Sequence, residues 1–185
     1  MNMHLKPAFK ILLPALDDAG VDYWVYGGVA IAAYAEEFIR PNKDVDSFVR
    51  DSDFKKVWGV LSEVCKNNGY LLKPRIPKKG RPKLDVFING EERFSVTPAY
   101  VKDDCVKFVF GKVVKKYPFQ ILEKVDRTVN GCRFYTSPNE CIKQFFLDHL
   151  MARKDKLERP EIRGDIDAVF TEQEQIKYNL LSKLA

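Results

Sequence analysis

The chain has 185 residues, 45 % of them hydrophobic, which excludes a disordered polymer and suits one domain with a proper core. Its net charge of +5 fits a phosphate-bearing partner, although many soluble domains are equally basic. No apolar run approaches the ~18 residues of a membrane helix, and the first residues lack a small-residue cleavage site, so a cytoplasmic protein without membrane partners is expected.

In chain order, Leu5, Phe9, Leu12, Leu13 and Leu16 lie along one side of an amphipathic helix that Asp18-Ala19-Gly20 ends. Residues 21–26 read as a strand running into Gly27-Gly28, with a small-residue helix after it (Val29 to Ala33). A glycine pair there leaves backbone N–H groups open at a helix start, where a phosphate can approach closely. Arg40, Pro41, Asn42 and Lys43 break the helix, and Asp44-Val45-Asp46-Ser47-Phe48-Val49 resumes a strand pattern. Side chains two apart on a strand share a face, ~6–7 Å apart along the chain, so Asp44 and Asp46 project together. On a helix they would diverge by ~200°.

Asp51-Ser52-Asp53 is expected to cap a helix over 54–67 with Val57, Trp58, Leu61 and Val64 inward, ended by Asn67-Asn68-Gly69. Residues 70–76 and 83–88 read as strands forming a hairpin around the basic loop 77–82. The second strand carries Asp85 among Leu84, Val86 and Phe87, where an acid is costly unless paired or metal-bound. From 89 to 135 the pattern weakens. It suggests strands over 106–110 and 112–114, another over 120–125, and a hairpin turning at Asn130-Gly131. Ser137-Pro138-Asn139-Glu140 reads as a capping box opening a helix with Ile142, Phe145, Phe146, Leu147, Leu150 and Met151. A further helix is expected over 161–170, and Thr171 to Glu174 forms a second capping box. Asp165 and Asp167 repeat the Asp-x-Asp spacing on a helix, where they diverge and are expected to be structural.

Only His4 and His149 are present, so a His-based zinc site or a Ser-His-Asp triad is poorly supplied. Four scattered cysteines without a CxxC pair read as unpaired thiols. A metal here would be held by carboxylates, which favours a hard ion such as Mg²⁺.

The Gly27-Gly28 turn followed by Arg40 and the Asp44-Val45-Asp46 strand resembles the signature of the nucleotidyltransferase superfamily related to DNA polymerase beta. It is most similar to the small bacterial branches, the antibiotic nucleotidyltransferases and the abortive-infection nucleotidyltransferase toxins. The resemblance implies an α/β (α+β) fold, with a mixed sheet flanked by helices over 1–135 and a C-terminal helical annex over 136–185. It implies that Asp44, Asp46 and Asp85 form a metal-binding and catalytic trio for two Mg²⁺ ions, with Asp85 also orienting or deprotonating the acceptor hydroxyl. Gly27 and Gly28 would cradle the triphosphate, with Arg40, Lys43 and Lys154 as cations near the nucleotide. The implied reaction moves a nucleoside monophosphate from NTP to a hydroxyl on a small molecule, such as an antibiotic, or on tRNA. The alternative is a catalytically silent domain of the same fold that binds a protein or RNA partner.

Overall fold

In the computed structural model, which describes residues 2–76, 83–102, 104–110, 113–152 and 157–180, nine strands form one mixed sheet flanked by helices. The strands are β1 (Tyr23–Tyr26), β2 (Val45–Arg50), β3 (Leu71–Arg75), β4 (Lys83–Ile88), β5 (Glu91–Lys102), β6 (Cys105–Phe110), β7 (Val113–Tyr117), β8 (Val125–Val129) and β9 (Cys132–Thr136). The helices are α1 (Leu13–Asp18), α2 (Gly28–Tyr34), α3 (Phe54–Asn68), α4 (Asn139–Ala152), α5 (Pro160–Val169) and α6 (Glu172–Lys177). Strand order is β3-β4-β5-β2-β1-β9-β8, with β6 and β7 continuing from the far half of β5. The β2–β5 and β1–β9 pairs are parallel, and the other pairs are antiparallel.

The 12-residue β5 organises this sheet and was not anticipated from the sequence. It leaves β4 through Asn89 and Gly90, both at positive φ (53° and 83°), the geometry an Asn-Gly hairpin turn requires. It then lies between β4 and β2, with Ser95 in register with both Asp85 and Asp46. Beyond Ala99 the same strand pairs with β6 instead, through Tyr100, Val101 and Lys102. One continuous strand therefore joins two parts of the sheet.

The amphipathic N-terminal segment is helical as expected, with Leu5, Phe9, Leu12, Leu13 and Leu16 all buried. Over Ala8–Leu12 it widens into a π turn, just before Pro14, which has no N–H to donate to the preceding turn. The hairpins 71–75/83–88 and 125–129/132–136 form as read, the latter with Asn130 and Gly131 at positive φ. The Thr171–Glu174 capping box is present in both directions. Other expectations are corrected. Trp58 is 37 % exposed, its ring set edge-on to Phe54 rather than inward. Residues 119–122 form a 3₁₀ turn, not a strand, tied down where the Ser137 hydroxyl donates to the Ile121 carbonyl at 2.6 Å. The four cysteines are free thiols. No helix among the described residues is long and apolar enough to cross a membrane.

Among the described residues three apolar clusters form, one packing α2, α4 and α5 together and two lying on the sheet. Of the latter two, one gathers the N-terminal helix, α3 and the inner faces of β4, β5 and β9. The other is aromatic: Phe48 stacks on Trp24 at 5.2 Å and meets Phe108 edge-on at 4.9 Å. Phe108 and Tyr117 both pack against Phe145 of α4, which fixes that helix over the sheet. Since Phe48 is 1 % exposed, Phe48→Ala should cost about 3–5 kcal/mol. Urea unfolding checks this, with a lower midpoint and an unchanged m-value expected.

Candidate active site

The turn from β1 into α2 needs its first glycine for backbone reasons. Gly27 sits at φ 71°, ψ −149°, a region side chains avoid, and a Cβ there would lie 3.3 Å from Asp46 Oδ2. The second glycine is needed for space. A Cβ on Gly28 would lie 2.2 Å from Asn42 Oδ1 and 2.7 Å from Arg40 Nη2. The loop 40–44 therefore packs directly against the glycine turn.

That loop is held from two directions. Arg40 grips Asp165 on α5 through Nε and Nη2 at 2.8–3.0 Å, and its Nη1 donates to the Pro41 carbonyl. From the N-terminal side, the Asn2 side chain accepts from the Asn42 N–H at 2.8 Å, and His4 Nε2 donates to the Asn42 carbonyl at 2.7 Å. Asp165 is 1 % exposed, and its burial raises its pKa despite the opposing guanidinium. A cavity of about 480 Å³ opens between the glycine turn, this loop, β2, α4 and α5. Asp44, Asp46 and Lys43 stand on one wall, and Ile142, Phe145 and Phe146 on the other.

Asp44 directly precedes β2 and Asp46 is its second residue, so strand periodicity brings both to the cavity as read from the sequence. Burial first, then the charges of Asp46 and Glu92, push the Asp44 carboxyl up to about 6. Two carboxylates with an unfavourable mutual field beside an open cavity suit a divalent cation. Mg²⁺ commonly takes one or two carboxylates and completes its shell with water and phosphate. The residues present therefore fit one such ion held by Asp44 and Asp46.

Asp85 does not join them as expected. Strand β5 stands between β2 and β4, so Asp85 lies two strands from Asp46, roughly 10 Å across the sheet at the usual strand spacing. The position directly beside Asp46 belongs to Ser95, whose hydroxyl donates to Asp46 Oδ1 at 2.5 Å. Asp85 Oδ2 meets Arg75 Nε at 2.6 Å, and the same guanidinium also pairs with Glu92. Lys83, two residues before Asp85 and so on the same face, fills the gap. Its Nζ is 3.2 Å from Asp46 Oδ1 and 3.9 Å from both Asp85 Oδ1 and Glu92 Oε1. Burial works to lower the Lys83 pKa, but the Tyr26 phenol and the carboxylates outweigh it and hold the ammonium above the ordinary lysine value. Among the described residues, no three acids converge closely enough to hold a metal together.

The sequence reading named neither Lys83 nor Ser95. The i, i+2 spacing of Lys83 and Asp85 was visible, but its meaning depends on β5. Of the expected cations, Arg40 lines the cavity but serves chiefly to brace Asp165, and Lys43 is exposed on the cavity wall. Lys154 lies outside the described residues.

No protein-family model matches the sequence, and no curated protein matches it. Solved structures do match. ANT(2")-Ia in complex with adenylyl-2"-tobramycin superposes with a TM-score of 0.61 at 14 % identity, over 95 % of each chain. The solution structure of the antibiotic-resistance factor ANT(2'')-Ia gives 0.58 at 16 % identity, over 97 % of this chain and 83 % of the other. The lincosamide antibiotic adenylyltransferase LnuA, lincomycin-bound, gives 0.53 at 12 % identity, over 94 % of each. The likeness is one of fold: the chain has the nucleotidyltransferase fold.

Two outcomes are expected from this geometry. Because the Asp44 pKa is raised on folding, its stabilising contribution is full below about pH 4 and is lost as pH rises through about 6. In EDTA, Asp44→Asn should flatten that slope and, after allowance for solvent screening, stabilise the protein at neutral pH by about 1 kcal/mol. Urea titrations across pH check it. Arg40→Met leaves a buried charge on Asp165 and should cost about 3 kcal/mol, most of it recovered in an Arg40→Met/Asp165→Leu double variant. A double-mutant cycle measures the difference.

Proposed function

We propose that the protein is a Mg²⁺-dependent nucleotidyltransferase that moves a nucleoside monophosphate from NTP to a hydroxyl of a small-molecule acceptor. The observation that carries this reading is the pair of carboxylates, Asp44 and Asp46, side by side at the mouth of a cavity bounded by a glycine turn. In this chemistry, positioning and charge neutralisation do most of the work. The acceptor oxygen bonds to the α-phosphorus, the α–β bridging P–O bond breaks, pyrophosphate leaves, and the hydroxyl proton passes to the carboxylate cluster or water. Mg²⁺ supplies neutralisation of the phosphate oxygens. Asp44 and Asp46 would hold it. Gly27 and Gly28 leave backbone for the triphosphate to approach, and Lys43 offers a cation from the exposed end of the same wall.

The small-molecule acceptor is favoured over tRNA by two neighbours of the fold, one bound to adenylyl-2"-tobramycin and the other to lincomycin. A cavity of about 480 Å³ lined in part by Ile142, Phe145 and Phe146 also suits a compact ligand.

A second reading, a silent nucleotidyltransferase-like binding module, is favoured by one observation. Arg75 occupies Asp85, and a serine stands beside Asp46 where another carboxylate would serve catalysis.

Intact-mass analysis separates the two. The protein is incubated with Mg²⁺ and each NTP against aminoglycosides, lincosamides, RNA and its own chain. A nucleotide-sized mass increase on a small molecule, lost on omitting Mg²⁺, is expected. Asp46→Asn should lower that turnover by about 100-fold or more without changing the melting temperature. Nucleotide binding with no adduct on any acceptor supports the silent module instead.

A further inference from the structure

The two-strand gap between Asp46 and Asp85 is bridged by an ammonium group. We propose that Lys83 is a built-in substitute for a second divalent ion, so that the site takes nucleotide with a single metal. This rests on the reading of the cavity as an NTP site, and it concerns how many ions that site admits.

Four observations carry it. First, Asp46 divides its oxygens. Oδ1 is already held by Lys83 Nζ at 3.2 Å and Ser95 Oγ at 2.5 Å, while Oδ2 lies on the Gly27 side, within reach of a Cβ placed there at 3.3 Å. One oxygen of Asp46 and the Asp44 carboxylate remain for an ion facing the cavity. Second, Lys83 is surrounded on the other side by Asp85 and Glu92, each 3.9 Å away, in addition to Asp46. Three carboxylates thus share this one cation, and their combined negative charge is what would draw a hydrated divalent ion if the ammonium were removed. Third, Asp85 Oδ1 is buried and has no hydrogen-bond partner among the described residues, where it faces Lys83 at 3.9 Å through charge. Fourth, the arrangement is fixed from behind. Arg75 on the paired strand holds Asp85 Oδ2 and Glu92, and Arg75 and Lys83 are themselves register partners across the β3–β4 hairpin.

A second Mg²⁺ entering here would meet two fixed positive charges and would have to strip Asp46 Oδ1 of both its partners. An ammonium, by contrast, supplies positive charge without a coordination shell and without exchanging with solvent. Lys83 acts through Asp46, so it is a positioning residue. It holds one carboxylate oxygen in place and neutralises the far half of the acid row.

Metal stoichiometry tests the idea. Mn²⁺ is titrated by electron paramagnetic resonance into the full chain with saturating α,β-methylene analogues of each NTP, in wild type, Lys83→Met, Lys83→Arg and Asp46→Asn. One nucleotide-dependent Mn²⁺ per chain is expected in wild type and in Lys83→Arg, two in Lys83→Met, and loss of binding in Asp46→Asn. Two ions in wild type overturn the substitution while leaving the nucleotidyltransferase reading intact. One ion in a folded Lys83→Met also overturns it, because something other than Lys83 then excludes the second metal. If Lys83→Met fails to fold, Lys83→Gln takes its place with the same expectation of two ions, and one ion in that variant overturns the proposal. No nucleotide-dependent Mn²⁺ in wild type with any analogue overturns the functional reading itself, and the substitution with it.

Discussion

The insertion of β5 between β2 and β4 is the constraint from which the rest of the site follows. A hairpin from Asn89-Gly90 sends this strand back beside β2, parallel to it, and every side chain on that face takes its neighbours from the resulting register. Tyr26, Asp46, Ser95, Asp85 and Lys73 form one row across five strands. Charges on adjacent strands can interact directly, whereas those two strands apart need something between them. The molecule meets that need with a lysine extended from two residues along β4 and a serine hydroxyl on β5. The far end of the acid row is thereby paired with Arg75 and Lys83, and Asp46 shares Lys83 through one oxygen while the other lies on the Gly27 side.

A separate device links the site to the helices that follow the sheet. Arg40 spans from the loop before β2 to Asp165 on α5, and its guanidinium passes so close to Gly28 that a side chain there would displace it. Two-point contact of a planar guanidinium with a carboxylate fixes orientation as well as distance. The glycine turn, the acid-bearing loop and α5 are therefore positioned relative to one another by a single side chain. The aromatic stack from Trp24 through Phe48 and Phe108 to Phe145 does the corresponding work for α4.

What could be read from the sequence was local. The Asp44/Asp46 pair follows from strand periodicity within three residues, the glycine turn from backbone chemistry, and the Asn130-Gly131 hairpin and Thr171–Glu174 cap from short spacings. What could not be read was pairing at a distance. Asp85 was expected to join Asp44 and Asp46 because the family resemblance implies a third carboxylate on a later strand, and Asp85 is an acid among apolar residues on such a strand. The chain order does not reveal that a later strand would fold back between them. The Asn89-Gly90 dipeptide did mark the turn into β5, but a register shift at Val86/Phe87 and the parallel pairing with β2 were needed to bring Ser95 opposite both acids. Trp58 illustrates the same limit for helices, since a ring at an inward position on α3 is partly exposed while Val57 and Leu61 are buried. The bracing role of Asp165 was legible only as a negative, an acid in a helix whose partner lies 125 residues away.

The tight seat of Gly28 bears on how such chains are compared. A glycine pair beside an Asp-x-Asp strand is commonly taken as a trace of nucleotide chemistry, yet here the second glycine is already demanded by Asn42 and Arg40. Gly28 is therefore tied to the packing of loop 40–44 whatever the cavity holds. The acids answer to a different demand, because the charge of Asp46 and the burial of Asp44 act together against ionisation of the Asp44 carboxyl.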